Sequence, residues 1–133
     1  MKLNNKQKET LKAMKEDVIM LFIIPKDLKM AKGKIASQVG HGSIGLYKQI
    51  IKDKKYSELL NLWENNGSKK VVLKCKNEGE MNKLNSQLTN INILTHCVYD
   101  AGKTQVKSGS FTVLCIFGKH KQINQYTNNL QLV

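Results

Sequence analysis

Apolar positions along the chain alternate between continuous runs and helical stripes. Near-continuous apolar segments at Val18–Ile24 and Phe111–Phe117 have the composition of buried strands. Lys69–Cys75 and Ile91–Tyr99 are predicted as two further strands. Because Phe111–Phe117 is apolar on both faces except at Thr112, it is predicted to lie in the interior of a sheet rather than at its edge.

Helical spacing of apolar residues fills the segments between these strands. Strands that alternate with helices indicate an α/β fold, with a mostly parallel sheet and helices on both faces. The short link between the third and fourth strands indicates one antiparallel pairing. The predicted helices are Lys32–Lys54, Ser57–Asn65 with Ser57 as N-cap, Glu78–Thr89 and Lys121–Asn128, followed by an extended tail at Leu130–Val133.

The length of 133 residues suits one domain with a substantial core. We expect this domain to cover residues 17–133, after a Lys-rich and mobile arm at residues 1–16. No apolar run approaches the roughly 20 residues that a bilayer-spanning helix needs, and no signal-peptide pattern is present. A protein without a membrane anchor is therefore expected, in the cytoplasm or, as the alternative, in an organelle.

The charge balance is unusual for a globular domain of this size. Twenty-two cationic residues, all of them Lys, stand against ten acidic ones and give a formal net charge of +12. Such an excess indicates a polyanionic partner, either nucleic acid or an anionic membrane surface, and the alternative is a merely solvated surface. Cys75, Cys97 and Cys115 form no CxxC pair and the histidines show no ligand spacing, so we predict reduced thiols and no metal site.

Polar side chains concentrate in Asp27–Gly42, directly after the first predicted strand. Lys34, Gln38 and His41 fall at relative helical positions 0, +4 and +7. At 3.6 residues per turn they lie within about 60° of one another, as one polar file along the helix. A polar file that begins at the carboxyl end of a strand is typical of a ligand site in an α/β protein.

A second polar segment, Asp100–Thr104, follows the third predicted strand. If the first and third strands are parallel, their carboxyl ends share one edge of the sheet, and this segment approaches Lys34. Lys34 could then stabilise an oxyanion or a phosphate, Asp100 could act as a general base or orient a partner, and Thr104 could hold water or a substrate carbonyl. The alternative is a solvated turn capped by Asp100.

The segment Gly40–Gly45 matches the G-x-G-x-x-G pattern of dinucleotide-binding proteins. That pattern has to follow a strand directly and open a helix, whereas here it lies in the middle of a predicted helix. The GxxG within it also lacks the short helix pair of a KH domain. A nucleotide-dependent oxidoreductase is therefore disfavoured.

Two motifs stand in order along the chain: D-L-K-M-A-K-G-K-I-A-S-Q-V-G-H-G from Asp27 to Gly42, and D-A-G-K-T-Q from Asp100 to Gln105. They resemble the signatures of the archaeal and eukaryotic class of peptidyl-tRNA hydrolases, D-L-K-M-G-K-G-K-I-A-A-Q-x-A-H-A and D-A-G-[KR]-T-Q. The K-V-V-L-K strand and the N-L-Q-L-V ending agree as well. The resemblance extends over about Val18–Val133.

The resemblance implies a single three-layer α/β/α domain with a four-stranded mixed sheet. It also implies hydrolysis of the ester between a peptide and the 3′ ribose of tRNA, by attack of water and without a metal or organic cofactor. Peptidyl-tRNA is the implied partner, and dimers in the family leave a homodimer open. The family's site residues map here to Lys34, Asp100 and Thr104 at the centre and to Lys29, Gln38, His41 and Thr112 in support.

The chain also departs from the family pattern. Ala31 replaces a glycine, while Gly40 and Gly42 replace alanines on either side of His41 and are predicted to loosen the helix. Phe117 replaces a glycine and is predicted to narrow the rim of the site. Ala31, Gly40 and Phe117 support the alternative function, a catalytically inactive basic RNA-binding or adaptor protein on the same fold.

Overall fold

A computed structural model describes residues 2–8, 17–101 and 109–133. Thr104, together with most of the second motif and of the predicted N-terminal arm, lies outside the described residues. The strands are Val18–Pro25 (β1), Lys70–Cys75 (β2), Leu94–Tyr99 (β3), Phe111–Lys119 (β4) and Gln131–Leu132 (β5). The helices are Lys32–Lys52 (α1), Ser57–Asn65 (α2), Glu78–Asn90 (α3) and His120–Thr127 (α4), with 3₁₀ turns at Lys26–Leu28 and Lys54–Tyr56.

The five strands form one mixed sheet in the order β3-β4-β1-β2-β5. Only the β1–β2 pairing is parallel among the described strands, so the prediction of a four-stranded, mostly parallel sheet is wrong in both respects. The predicted extended tail supplies the fifth strand, and β4 runs antiparallel to both of its neighbours. Because β1 and β3 are each antiparallel to β4, they point in the same direction, and their carboxyl ends do share one edge.

Helices cover both faces of the sheet, which confirms the three-layer arrangement. Leu46 of α1 and Trp63 of α2 pack with Phe22 of β1 on one face. Met81 of α3 and Ile123 of α4 belong to the core on the other face. The strands β1 and β4 are buried on both faces, as expected for interior strands, and they carry most of the hydrophobic core.

Two local predictions are corrected by the packing. Phe117 is 1% exposed and meets the ring of Trp63 edge-on at 6.0 Å, so it lies in the core and does not narrow the rim of the site. Its register partner Met20 stands near the start of β1, at the opposite edge of the sheet from Asp100. Ser57 is the first residue of α2 rather than its N-cap, because the 3₁₀ turn before it runs directly into the helix.

The helix α1 approaches the sheet closely through two of its glycines. A Cβ atom added to Gly42 would collide with the Sγ of Cys115, and one added to Gly45 would collide with the imidazole of His96. A Cβ on Gly40 would meet nothing within 4 Å. The glycines at 42 and 45 therefore set how near the helix lies to β3 and β4, whereas the glycine at 40 has no such packing role.

We expect Gly42→Ala to destabilise the fold by about 1–3 kcal/mol, because the added methyl group overpacks the contact with Cys115. Gly40→Ala, the matched control on the same helix, should stabilise it by about 0.5–1 kcal/mol through the lower backbone entropy of the unfolded chain. Urea unfolding of the two variants measures both effects. Adding Cys115→Ala should recover stability in the Gly42→Ala background, and equal stability of the two alanine variants would contradict the packing role.

Candidate active site

A buried ion pair joins the two segments that the sequence singles out. The Nζ of Lys34 lies 2.5 Å from the Oδ1 of Asp100, with side-chain exposures of 7% and 1%. Lys34 is in the first turn of α1, and Asp100 directly follows β3. Desolvation costs several kcal/mol for each buried ion, so such a pair adds little net stability. This buried pair at the carboxyl edge of the sheet marks the candidate site.

The start of α1 carries positive charge at an unusual position. Its N-cap, Ala31, offers no side-chain hydrogen bond, and the first turn holds Lys32 and Lys34 but no acidic residue. Cations at a helix N-terminus oppose the helix dipole, which favours anions there. The helix N-terminus and the ammonium group of Lys32 therefore create a positive potential that can stabilise an oxyanion or a phosphate, next to the Lys34 ammonium group that Asp100 neutralises.

The connection that leads into α1 is itself strained. Lys29 has φ 50° and ψ 42°, the left-handed conformation, and its N–H donates to the carbonyl of Lys26 at 3.1 Å. This conformation costs roughly 1–2 kcal/mol in a residue other than glycine. Lys29 is exposed to solvent and lies five residues before Lys34 in the sequence.

A β-bulge turns Thr112 toward α1. Val98 pairs with Val113 and Tyr99 pairs with Phe111, which leaves Thr112 as the extra residue of β4. Regular alternation would place Thr112 on the face covered by α3 and α4, but the bulge moves it to the opposite face. There the Nε2 of Gln38 donates to the Thr112 hydroxyl at 2.7 Å, and the hydroxyl donates to the carbonyl of Val98 at 3.2 Å.

His96 was not among the predicted site residues, yet it contacts the same helix. It lies on β3 four residues before Asp100, and its Nδ1 is 2.7 Å from the Nε2 of Gln49. Burial lowers the pKa of His96, and the nearby imidazole of His41 lowers it further. The alternation of side chains along a strand could have pointed to His96, because residues 96 and 100 then face the same side of the sheet.

The structure brings most of the predicted site residues to one edge of the sheet. Lys34 contacts Asp100 and Gln38 contacts Thr112, so two successive turns of α1 are fixed to β3 and β4. His41 is exposed one turn further along, near His96 rather than near the ion pair. Among the described residues, no group of three or more His, Cys, Asp or Glu side chains could hold a metal ion.

The fold and the site define an α/β protein that holds an amine and a carboxylate together at the carboxyl edge of a mixed sheet. Residues 18–133 match the family described as peptidyl-tRNA hydrolase PTH2. The chain belongs to this family, and the resemblance of its two motifs is thereby confirmed. The G-x-G-x-x-G pattern lies within α1, two turns beyond its start, which is not the position of a dinucleotide fingerprint.

Individual relatives agree with this assignment. The probable peptidyl-tRNA hydrolase 2 of Schizosaccharomyces pombe is 37% identical over 85% of this chain and 55% of its own length. The peptidyl-tRNA hydrolase of Thermococcus sibiricus is 37% identical over 85% of this chain and 95% of its own length. The chain thus spans about half the length of the yeast relative but nearly the whole of the archaeal one.

One solved structure shows the fold alone. A protein of unknown function from Agrobacterium tumefaciens C58 superimposes with a TM-score of 0.58 at 11% identity. The match covers 88% of this chain and 98% of that one.

We expect Thr112→Val to cost about 1–3 kcal/mol of folding free energy, because the Gln38 amide and the Val98 carbonyl lose their common partner. Thr112→Ser retains the hydroxyl group and serves as the matched control, with a smaller loss. Chemical denaturation of both variants tests the prediction. Equal stability of Thr112→Val and the wild type would show that the bulge does not anchor α1 through this hydroxyl.

The pKa of His96 also predicts how stability depends on pH. Because this pKa is lower in the folded protein, the unfolded chain binds the proton first as the pH falls. The contribution of His96 to stability is complete above the unfolded pKa of about 6.5 and decreases as the pH falls toward the folded value. The free energy of unfolding, measured between pH 8 and pH 5, should therefore decrease less steeply for His96→Gln than for the wild type.

The control for this measurement is His120→Gln, at the start of α4 on the opposite face of the sheet. This variant shows how much of the change comes from removing a histidine at any position. If the free energy of unfolding depended on pH identically in the wild type and in His96→Gln, the lowered pKa of His96 would be contradicted.

Proposed function

We propose that this chain hydrolyses the ester between the peptide and the 3′ ribose of peptidyl-tRNA and so releases free tRNA. Membership of the peptidyl-tRNA hydrolase family supports the substrate and the reaction. The single structural observation that supports it most is the buried Lys34–Asp100 pair at the start of α1. Lys34, Asp100 and Thr104 form the proposed centre, although Thr104 lies outside the described residues.

The proposed reaction is direct attack of water on the ester carbonyl carbon. Asp100 orients the water and accepts its proton, while Thr104 holds the water or the carbonyl group. The negative charge that develops on the carbonyl oxygen is stabilised by the ammonium group of Lys34 and by the N-terminus of α1. The bond to the ribose oxygen then breaks, that oxygen takes up a proton, and the peptide leaves with a free carboxylate.

The remaining residues support this centre in different ways. Gln38 and Thr112 fix the second turn of α1 to β4, which holds Lys34 in place. Lys29 and His41 are exposed, and their cationic or hydrogen-bonding groups could contact the tRNA. Lysine contacts phosphate as a point charge rather than as a bidentate fork, so binding should depend strongly on salt.

The family assignment gives no support to the alternative of an inactive adaptor, and homodimer formation stays a prediction. Within the described residues, none of the helices is both long enough and apolar enough to cross a membrane.

Hydrolysis of N-acetyl-aminoacyl-tRNA by the full chain tests the proposed function. Lys34→Met and Asp100→Asn keep the size of the side chains, and each should lower kcat by about 10²–10³ through the loss of oxyanion stabilisation or proton transfer. Lys48→Met removes an exposed lysine from the same helix and is the matched control, with unchanged kcat.

Circular dichroism must show that the variants are folded, since removing one partner of a buried ion pair costs about 3–5 kcal/mol. Normal turnover by both folded variants would contradict the site. A folded wild type without turnover would contradict the function.

A further inference from the structure

A second group of cations lies on the same edge of the sheet, at the ends of β1 and β2. Lys26 directly follows β1, Lys74 is near the end of β2, and Lys76 directly follows it. Pro25 pairs with Cys75 in parallel register, so the two strands end at the same level. The three lysines open onto one cleft of about 190 Å³, which is lined by Lys26, Lys74, Lys76, Glu80, Asn129 and Gln131 among others.

The cleft carries more positive than negative charge. None of its three ammonium groups forms an ion pair with another described residue, in contrast to Lys34. Burial raises the pKa of the Cys75 thiol, and two nearby carboxylates, those of Glu80 and Asp27, raise it further. The Glu80 carboxylate also accepts a hydrogen bond from the backbone N–H of Lys76 at 3.3 Å, so part of its charge is already engaged.

We propose that this lysine cleft binds a backbone phosphate of the RNA strand whose esterified end occupies the Lys34–Asp100 site. The inference rests on the proposed function, since it assigns a second contact to the same substrate. Lysine side chains on flexible stems suit a phosphate oxygen, and a cleft of this volume has room for the whole phosphate group.

The topology of the sheet sets the separation of the two sites. Asp100 follows β3 and the cleft lies at the end of β2, three strands away in the order β3-β4-β1-β2. Neighbouring strands are about 4.8 Å apart, so the two sites are at least roughly 14 Å apart along the edge. The cleft also opens on the face of the sheet covered by α3, whereas Lys34 and Asp100 meet on the α1 face. A stacked single strand advances about 3.4 Å per nucleotide, so the bound phosphate is at least about four nucleotides from the ester.

The proposal is tested with the triple variant Lys26→Gln, Lys74→Gln, Lys76→Gln in the full chain. Its KM for N-acetyl-aminoacyl-tRNA should rise about tenfold, the equivalent of one charge-assisted hydrogen bond, with kcat nearly unchanged. The slope of log affinity against log salt should become shallower by about 0.7, the value for one phosphate contact on a single strand.

A charge-matched control separates the cleft from the general field of the protein. Lys48→Gln, Lys52→Gln, Lys121→Gln removes the same charge from exposed lysines on the second half of α1 and on α4. This control should leave KM within about twofold of the wild type at physiological salt, because exposed charges beyond the Debye length of about 8 Å are screened. An equal increase of KM in both triple variants would overturn the proposal.

Substrate length provides a second readout. N-acetyl-aminoacyl esters of a mononucleoside and of oligonucleotides two to six nucleotides long extend stepwise from the ester toward the cleft. The cleft variant should hydrolyse the mononucleoside ester at the same rate as the wild type, and it should be slower on esters whose strand is long enough to reach the cleft. A constant ratio of the two hydrolysis rates over all lengths would contradict the proposal.

Failure of the proposed function can be recognised separately. If the wild type hydrolyses none of these esters, the proposed function fails, and binding of a fluorescent unesterified oligonucleotide still compares the two triple variants. Weaker binding by the cleft variant alone would support a phosphate site on this edge, and equal binding would exclude it.

Discussion

The buried contact between Lys34 and Asp100 is the constraint on which the arrangement of this protein depends. Neither charge tolerates burial without the other, because an unpaired ion in a low-dielectric interior costs several kcal/mol. The pair therefore requires the first turn of α1 to lie against the end of β3. Lys34 in α1 and Asp100 after β3 are 66 residues apart in the sequence, so they meet only once β3 lies beside β4 in the sheet.

Several packing features hold α1 at the distance that this pair needs. Gly42 and Gly45 remove the methyl groups that would strike Cys115 and His96, so the helix descends onto β3 and β4. The bulge at Thr112 supplies a hydroxyl group for Gln38 on the same face. Each feature departs from the local rule for its element, and departures of this kind are typical of functional regions.

The sequence supported the positions of most elements because their apolar periodicity is strong. The meeting of Lys34 and Asp100 was also predictable, although the sheet is not mostly parallel. What mattered was the common direction of β1 and β3, and an antiparallel β4 between them preserves it. The fifth strand was harder to predict, since Gln131–Leu132 is too short to show a periodicity of its own.

The features that sequence reasoning missed depend on register or on contacts between distant elements. A bulge at Thr112 changes the face of a residue without changing the composition of its strand, so alternation alone predicts the wrong side. The burial of Phe117 follows from its pairing with Met20, which a comparison with a family pattern does not reveal. The position of His96 could have been predicted, because it is an even number of residues before Asp100 and therefore faces the same side of the sheet.

The lysine-only composition acquires a clearer meaning from this geometry. Net charge alone describes a field around the whole molecule and does not locate a partner. The carboxyl edge, however, combines the paired Lys34 with unpaired cations at the ends of β1 and β2. Lys34 is buried in an ion pair, where its charge can act on a reacting group, while Lys26 and Lys76 are exposed to solvent. A binding site for an extended anion differs from a uniformly basic surface in this way, because some of its lysines are buried and others are exposed.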